Sequence, residues 1–426
     1  MSGDSRLNRI FQKPWMGIIV FLFSLVALIF AGGLMQYYWG MMGLLLTEIM
    51  ILIIALIGIF LSGQKFKDVF PIQFDNWKHL IRQIIGTTII WAGTLLLVIG
   101  TNAILLAIFP QDMLDTSMGL SSFMNSIHPA LGFFIVTVMP AICEEALNRG
   151  YIQSTLKGIK KDWIVVLIMG LIFGVFHLDF TRFLGTALLG AAMAYILIKT
   201  RNFILPVLLH FMNNAFSYTM SRLALSQTEV TSEPIMTAGI ATYISGALII
   251  CSFAPILLLI GGFLLRKKTK NDEATAAVVQ NAKLKKLKYV IVTVVVSASL
   301  FGSGIVVGAL SILMQPNSVI LSESFKFTIS EPEFSHEFIL EQEAQYMVSA
   351  TFSESEGMSH FLIVNSNEDV FLDETGGDFS ISGMALTLPP GDYRIIVKPD
   401  DESLQKMLEG DQIETDIMVT LIQMPG

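Results

Sequence analysis

The stretch Ala141-Ile142-Cys143-Glu144-Glu145-Ala146-Leu147-Asn148-Arg149 sets two carboxyls and a guanidinium inside a long apolar run. Whether that run is a buried helix of a soluble protein or a membrane span decides the fold. Composition answers first: of 426 residues, 53% are hydrophobic and only 15% charged, and the mean hydropathy is +0.65. That is too apolar for an ordinary soluble protein. Outward from residue 141 the chain holds repeated apolar runs of the roughly 20 residues that a spanning helix needs.

The runs place spans at 15–36, 41–61, 84–109, 130–158, 161–178, 182–199, 203–220, 238–265 and 289–314. The first follows Arg6, Arg9 and Lys13, but it is too long for a signal peptide and reads as a retained helix. Lys and Arg then fall on alternate loops: Lys65/Lys67/Lys78/Arg82, Lys157/Lys160/Lys161, Lys199/Arg201, and the stretch from Arg266 to Lys288. The opposite loops carry Asp112 and Asp115, Asp179, and Glu229 and Glu233. By the positive-inside rule, nine spans with a cytoplasmic N-terminus and an outer C-terminus fit this pattern.

From Asn317 onward there are 21 Asp and Glu against 4 Lys and Arg, a net of −17; before it there are 14 against 23, a net of +9. Short alternating runs such as Phe325–Ile329 and Tyr393–Val397, separated by Gly376-Gly377 and Pro389-Pro390-Gly391-Asp392, predict about seven strands. The expected architecture is an all-α polytopic membrane domain over 1–316 and an acidic, all-β, sandwich-like extracytoplasmic domain over 317–426. His336 and His360 read as ordinary surface or rim residues of that domain. The two cysteines, Cys143 and Cys251, lie in apolar segments and suggest neither a disulfide framework nor a thiolate metal site. The basic clusters are short and flank the spans, so nucleic acid is not an expected partner; the lipid bilayer is.

An ionisable group in mid-membrane costs about 2.5–3.5 kcal/mol and needs a partner or a function. Glu144, Glu145, His177 and His210 are the positions singled out. Four residues apart on a helix, Glu145 and Arg149 can pair, and Glu144, turned by about 100°, lacks that cation. In the next helix Phe173 and His177 share a face, and Gly174 permits a close helix crossing. In the one after, His210 and Asn214 share a face. Helix rise puts Glu144 about 21 Å and His177 about 24 Å from the inner end of their spans, but His210 only about 13 Å. Carboxyl, imidazoles and amide make a kit for water-mediated hydrolysis. The same residues also suit a proton relay, or hydrogen bonds that merely join helices.

Glu-Glu-x-x-x-Arg, Phe-x-x-x-His and His-x-x-x-Asn in this order, carried by Glu144, Glu145 and Arg149, by Phe173 and His177, and by His210 and Asn214, resemble the CPBP (Abi) family of intramembrane proteases. That family includes type II CAAX prenyl endopeptidases and bacteriocin-processing or self-immunity proteins. The resemblance covers 130–220. It implies an intramembrane endopeptidase in which Glu144 and His177 activate water, His210 and Asn214 bind the oxyanion, and Glu145 and Arg149 hold the site. Members are described both as metalloproteases and as glutamate-dependent enzymes without metal; a zinc-like divalent ion would take Glu144, His177 and His210. There is no His-Glu-x-x-His from which zinc could be read. A bacterial cell membrane and a membrane-associated peptide or protein substrate are implied as well, with an outer partner protein open for the C-terminal domain. The competing readings are a non-proteolytic immunity or partner-binding protein on the same scaffold, and a proton-coupled transporter. Against the transporter, no inverted repeat is visible.

Overall fold

The computed structural model describes residues 6–226, 240–266, 276–313, 319–326, 333–340, 343–354, 359–376, 379–401, 403–405 and 414–423. The expected loop with Glu229 and Glu233, part of the basic stretch after Arg266, and the boundary at 316/317 lie outside these residues.

The helical part runs α1 (Pro14–Ala27), α2 (Gly33–Ser62), α3 (Trp77–Ile108), α4 (Pro110–Met124), α5 (Pro129–Gly158), α6 (Asp162–Phe176), α7 (Phe180–Thr200), α8 (Ile204–Ser226), α9 (Ile240–Leu265) and α10 (Ala276–Leu313). Among the described residues six helices are long and apolar enough to cross a membrane: Pro14–Ser62, Trp77–Ile108, Pro129–Gly158, Phe180–Thr200, Ile240–Leu265 and Leu284–Ser311. The count of nine is therefore not reproduced, for three physical reasons. Runs 15–36 and 41–61 fall in the single stretch Pro14–Ser62, which counts once although it is interrupted at Gly40. Run 161–178 yields only the 15 residues Asp162–Phe176, about 22 Å of helix against a hydrocarbon core of about 30 Å. Run 203–220 lies in α8, which holds His210, Asn213 and Asn214 and does not meet the hydropathy of a span.

The first stretch is not straight. Gly40 has φ 51° and ψ −127°, outside the helical region. A Cβ on Gly43 would lie 2.0 Å from the carbonyl oxygen of Met35, whereas residues eight apart on a continuous helix are about 12 Å apart. The chain thus doubles back near Gly40, where glycine's freedom at positive φ is needed. Large apolar side chains face outward along these helices, Phe60 being 83% exposed, as lipid-facing positions allow. The chain is a multi-pass membrane protein. The loop expected around Asp112 and Asp115 is instead helical, α4, with Pro110 and Asp112 in its first turn, where a missing N–H and a negative charge are both tolerated.

Two apolar clusters flank the motifs. One joins Phe21, Ile51 and Ala55 to Ala146, Leu147, Tyr151 and Ile152 of α5 and to Met169 of α6. The other joins Phe173 to Leu189 and Met193 of α7 and Leu205 and Leu209 of α8. Helices α6 and α7 cross closely on glycines. A Cβ on Gly174 would sit 2.9 Å from the Phe183 carbonyl oxygen, and one on Gly190 would sit 2.6 Å from the Phe173 Cβ. Gly190→Ala is expected to push α6 from α7 and cost about 1–3 kcal/mol by overpacking. A melting temperature in detergent indistinguishable from that of the parent protein would refute the tight crossing.

By contact, the described residues from Gly308 onward form a second unit. It contains eight strands, one more than expected: β1 (Val319–Lys326), β2 (Phe334–Leu340), β3 (Ala344–Glu354), β4 (Ser359–Asn365), β5 (Val370–Gly376), β6 (Phe379–Leu388), β7 (Gly391–Pro399) and β8 (Glu414–Gln423). They make two four-stranded sheets, ordered β1-β8-β3-β6 and β2-β7-β4-β5, with antiparallel pairing throughout. Alternate residues of both sheets, including Phe338, Val348, Phe361, Ile395 and Leu421, bury into one core, as period-two patterning requires. Tyr393 donates to the Pro389 carbonyl at 2.7 Å, which satisfies its buried hydroxyl. His336 and His360 are partly exposed, the latter 3.3 Å from Asp373.

Candidate active site

Within helix α5 the regular segment Met139–Glu145 is bracketed by π-helical turns at Phe134–Val138 and Ala146–Ile152. Such turns are rare and recur at functional sites, because they rotate following side chains away from regular α phasing. The Glu145–Arg149 pair expected from spacing is nevertheless formed. Arg149 Nη1 donates to Glu145 Oε1 at 2.9 Å, with both side chains fully buried. Arg149 Nη2 donates to the Gly190 carbonyl at 3.0 Å, and its guanidinium lies 4.4 Å from the centre of the Phe173 ring. Paired, hydrogen-bonded and stacked, this arginine meets the conditions under which a buried cation is tolerated.

The same carboxyl oxygen does a second job. His210 Nδ1 lies 3.0 Å from Glu145 Oε1, so α8 is tied to α5 through the residue that braces Arg149. His210 thus meets the Glu-Glu pair although helix rise alone sets it about 8 Å lower in its span.

His177 caps the end of α6, where Leu178 turns into the left-handed region at φ 54°. Its Nδ1 lies 2.9 Å from the Phe173 carbonyl oxygen. In both histidines the acceptor at Nδ1 draws the proton there and leaves the Nε2 lone pair unengaged. Phe173 touches both rings edge-on, with centroids 4.9 Å from His177 and 5.5 Å from His210. Asn214 Nδ2 donates to the Val136 carbonyl at 3.1 Å, and its Oδ1 accepts from Asn213 Nδ2 at 3.4 Å.

His177, Arg182, Thr186, His210, Asn213 and Asn214 share the wall of one cavity of about 40 Å³, room for about three waters. Three of the predicted residues thus meet there. Glu144 does not line it. That residue is 9% exposed, its Oε2 has no hydrogen-bond partner, and it interacts electrostatically with His210, Glu145, Arg149 and Arg182. Its backbone carbonyl accepts from Asn148 Nδ2 at 2.9 Å.

Two residues escaped the reading of motifs. Glu48 of α2 is 3% exposed, with an unpartnered Oε2, and interacts electrostatically with Glu144. Its signal was available: a carboxyl in the middle of the apolar run 41–61 costs as much as Glu144 does. Arg182 is the first residue of the expected span 182–199; it lies in the first turn of α7, on the cavity wall.

The metal expectation does not fit this donor set. Among the described residues no group of three or more His, Cys, Asp or Glu is arranged to hold an ion. No step is therefore derived through a metal at Glu144, His177 and His210.

Residues 126–216 match the model of a family described as Rce1-like, type II CAAX prenyl endopeptidase. The match contains all three motifs and the whole Glu145–Arg149–His210 network, and it bears out over this segment the family resemblance carried by the motifs. No curated protein and no solved structure matches the chain.

Proposed function

We propose, on the premise that residues 126–216 are an Rce1-like type II CAAX prenyl endopeptidase segment, that this protein is an intramembrane endopeptidase. It hydrolyses peptide bonds of membrane-associated peptides or proteins with a water activated by Glu144. The observation that carries this reading is the cavity at which His177 of α6 meets His210 and Asn214 of α8, with the unpartnered Glu144 within electrostatic reach of His210 and Arg182.

Glu144 removes a proton from water as its oxygen bonds to the scissile carbonyl carbon, and the carbonyl π pair moves onto oxygen. That oxyanion then reforms the carbonyl, the C–N bond breaks, and the proton held by Glu144 passes to the departing amine. His177, with Nδ1 held by the Phe173 carbonyl, accepts a hydrogen bond from the water at Nε2. His210 is held against Glu145 through Nδ1, which turns its Nε2 edge away from that carboxylate. Arg149 holds Glu145 in place through its hydrogen bond. The loop charges support an orientation with the N-terminus inside the cell and the acidic β unit outside it, where it would meet a partner protein.

The test compares newly formed peptide ends in membranes containing the wild-type protein or Glu144→Gln. Ends produced only by the wild type are expected. Identical sets of ends would remove the hydrolase reading and favour a binding or immunity role on the same scaffold.

A further inference from the structure

An oxyanion needs donors about 2.7–3.1 Å away, preferably charged. The residues expected to supply them are largely committed. His210 spends its Nδ1 proton on Glu145, and His177 spends its own on a backbone carbonyl. Asn214 gives one amide hydrogen to Val136, and Asn213 gives one to Asn214. What these leave on the wall is one neutral amide hydrogen on each asparagine.

Arg182 is different. It lines the same cavity, and among the described residues its guanidinium has no hydrogen-bond, ion-pair or ring partner. Asp179, the nearest acid in sequence, interacts with it electrostatically but makes no ion pair with it; its Oδ1 caps α7, accepting from the Thr181 amide at 2.8 Å and its hydroxyl at 2.7 Å. Glu144 is the other carboxyl in its field. An arginine held in a membrane helix without a partner leaves up to five donors for a ligand that is not there in the resting protein.

We infer that Arg182 is a catalytic residue whose guanidinium donates to the scissile carbonyl oxygen as it becomes the oxyanion, with Asn213 and Asn214 as neutral co-donors. In the step written above, Arg182 receives the charge that the carbonyl π pair brings, and no proton leaves it. This role rests on the hydrolase reading of the preceding subsection.

The experiment uses a fluorogenic peptide spanning a bond that wild-type but not Glu144→Gln membranes cleave, with full-length protein in lipid. For Arg182→Gln, kcat is expected to fall about 10²- to 10³-fold at every pH, with KM held within about three-fold. Arg182→Lys, which keeps charge but loses the fork of donors, is expected to recover part of that loss. Both variants are checked for an unchanged melting temperature, and Arg182→Lys carries the test should the Gln variant not fold. A loss at low pH that vanishes on the alkaline plateau would overturn the assignment, because it would mean that Arg182 acts only through the charge of Glu144. Wild-type kcat in both variants would overturn it as well. If no bond distinguishes wild type from Glu144→Gln, the hydrolase reading itself fails and takes this role with it.

Discussion

Glu144→Gln in purified full-length protein is expected to lower cleavage about 10²- to 10⁴-fold, the usual contribution of a positioned general base. Folding is expected to be unaffected. The substitution removes a charge rather than a contact, since Oε2 makes no hydrogen bond and the helix-internal bond from Asn148 goes to the backbone. Replacing a desolvated carboxyl by a neutral amide also relieves a burial cost, so the melting temperature is expected to hold or rise. The expected signature is a dead enzyme that is at least as stable as its parent. A cleavage rate within a few-fold of wild type would take Glu144 out of the mechanism.

The opposite signature belongs to Arg149. Arg149→Ala removes the partner of a fully buried Glu145, the bond to Gly190 and the stacking on Phe173. Breaking a buried pair from one side costs about 3–5 kcal/mol, because the remaining charge is left without compensation. That is a large part of the margin of a typical domain, so early unfolding in detergent and poor accumulation in membranes are expected. Neutralising both partners, as in Glu145→Gln with Arg149→Met, is expected to restore part of the stability but not the orientation of His210. A single Arg149→Ala variant as stable as the parent protein would show that the buried network is not what holds α5, α7 and α8 together.

Much of this was legible in the sequence, and the reasons are specific. The Glu145–Arg149 pair followed from spacing, because four residues bring side chains onto one face even where a π turn begins between them. The close approach at Gly174 followed from the absence of a side chain. Strand periodicity carried the β unit, where buried and exposed residues alternate along β2. The reversal at Gly40 was hidden, since a glycine inside an apolar run looks like any other small residue until its φ is known. The second role of Glu145 was hidden too. His210 Nδ1 reaches it across 65 residues of chain, and no local pattern encodes which of two adjacent carboxyls faces a distant ring. The expected span count is not matched at the short α6, whose run borrowed hydropathy from the helix ends, or at α8, where His210, Asn213 and Asn214 lower the hydropathy.

The central claim is that groups from separate helices act on one water, and a double-mutant cycle measures it most directly. Cleavage of the same peptide would be compared in wild type, Glu144→Gln, His177→Asn and the combined variant. Residues serving one water fail as a unit, so the double variant is predicted to be within a few-fold of the worse single variant. Losses that multiply, or a wild-type rate in either single variant, would contradict the account.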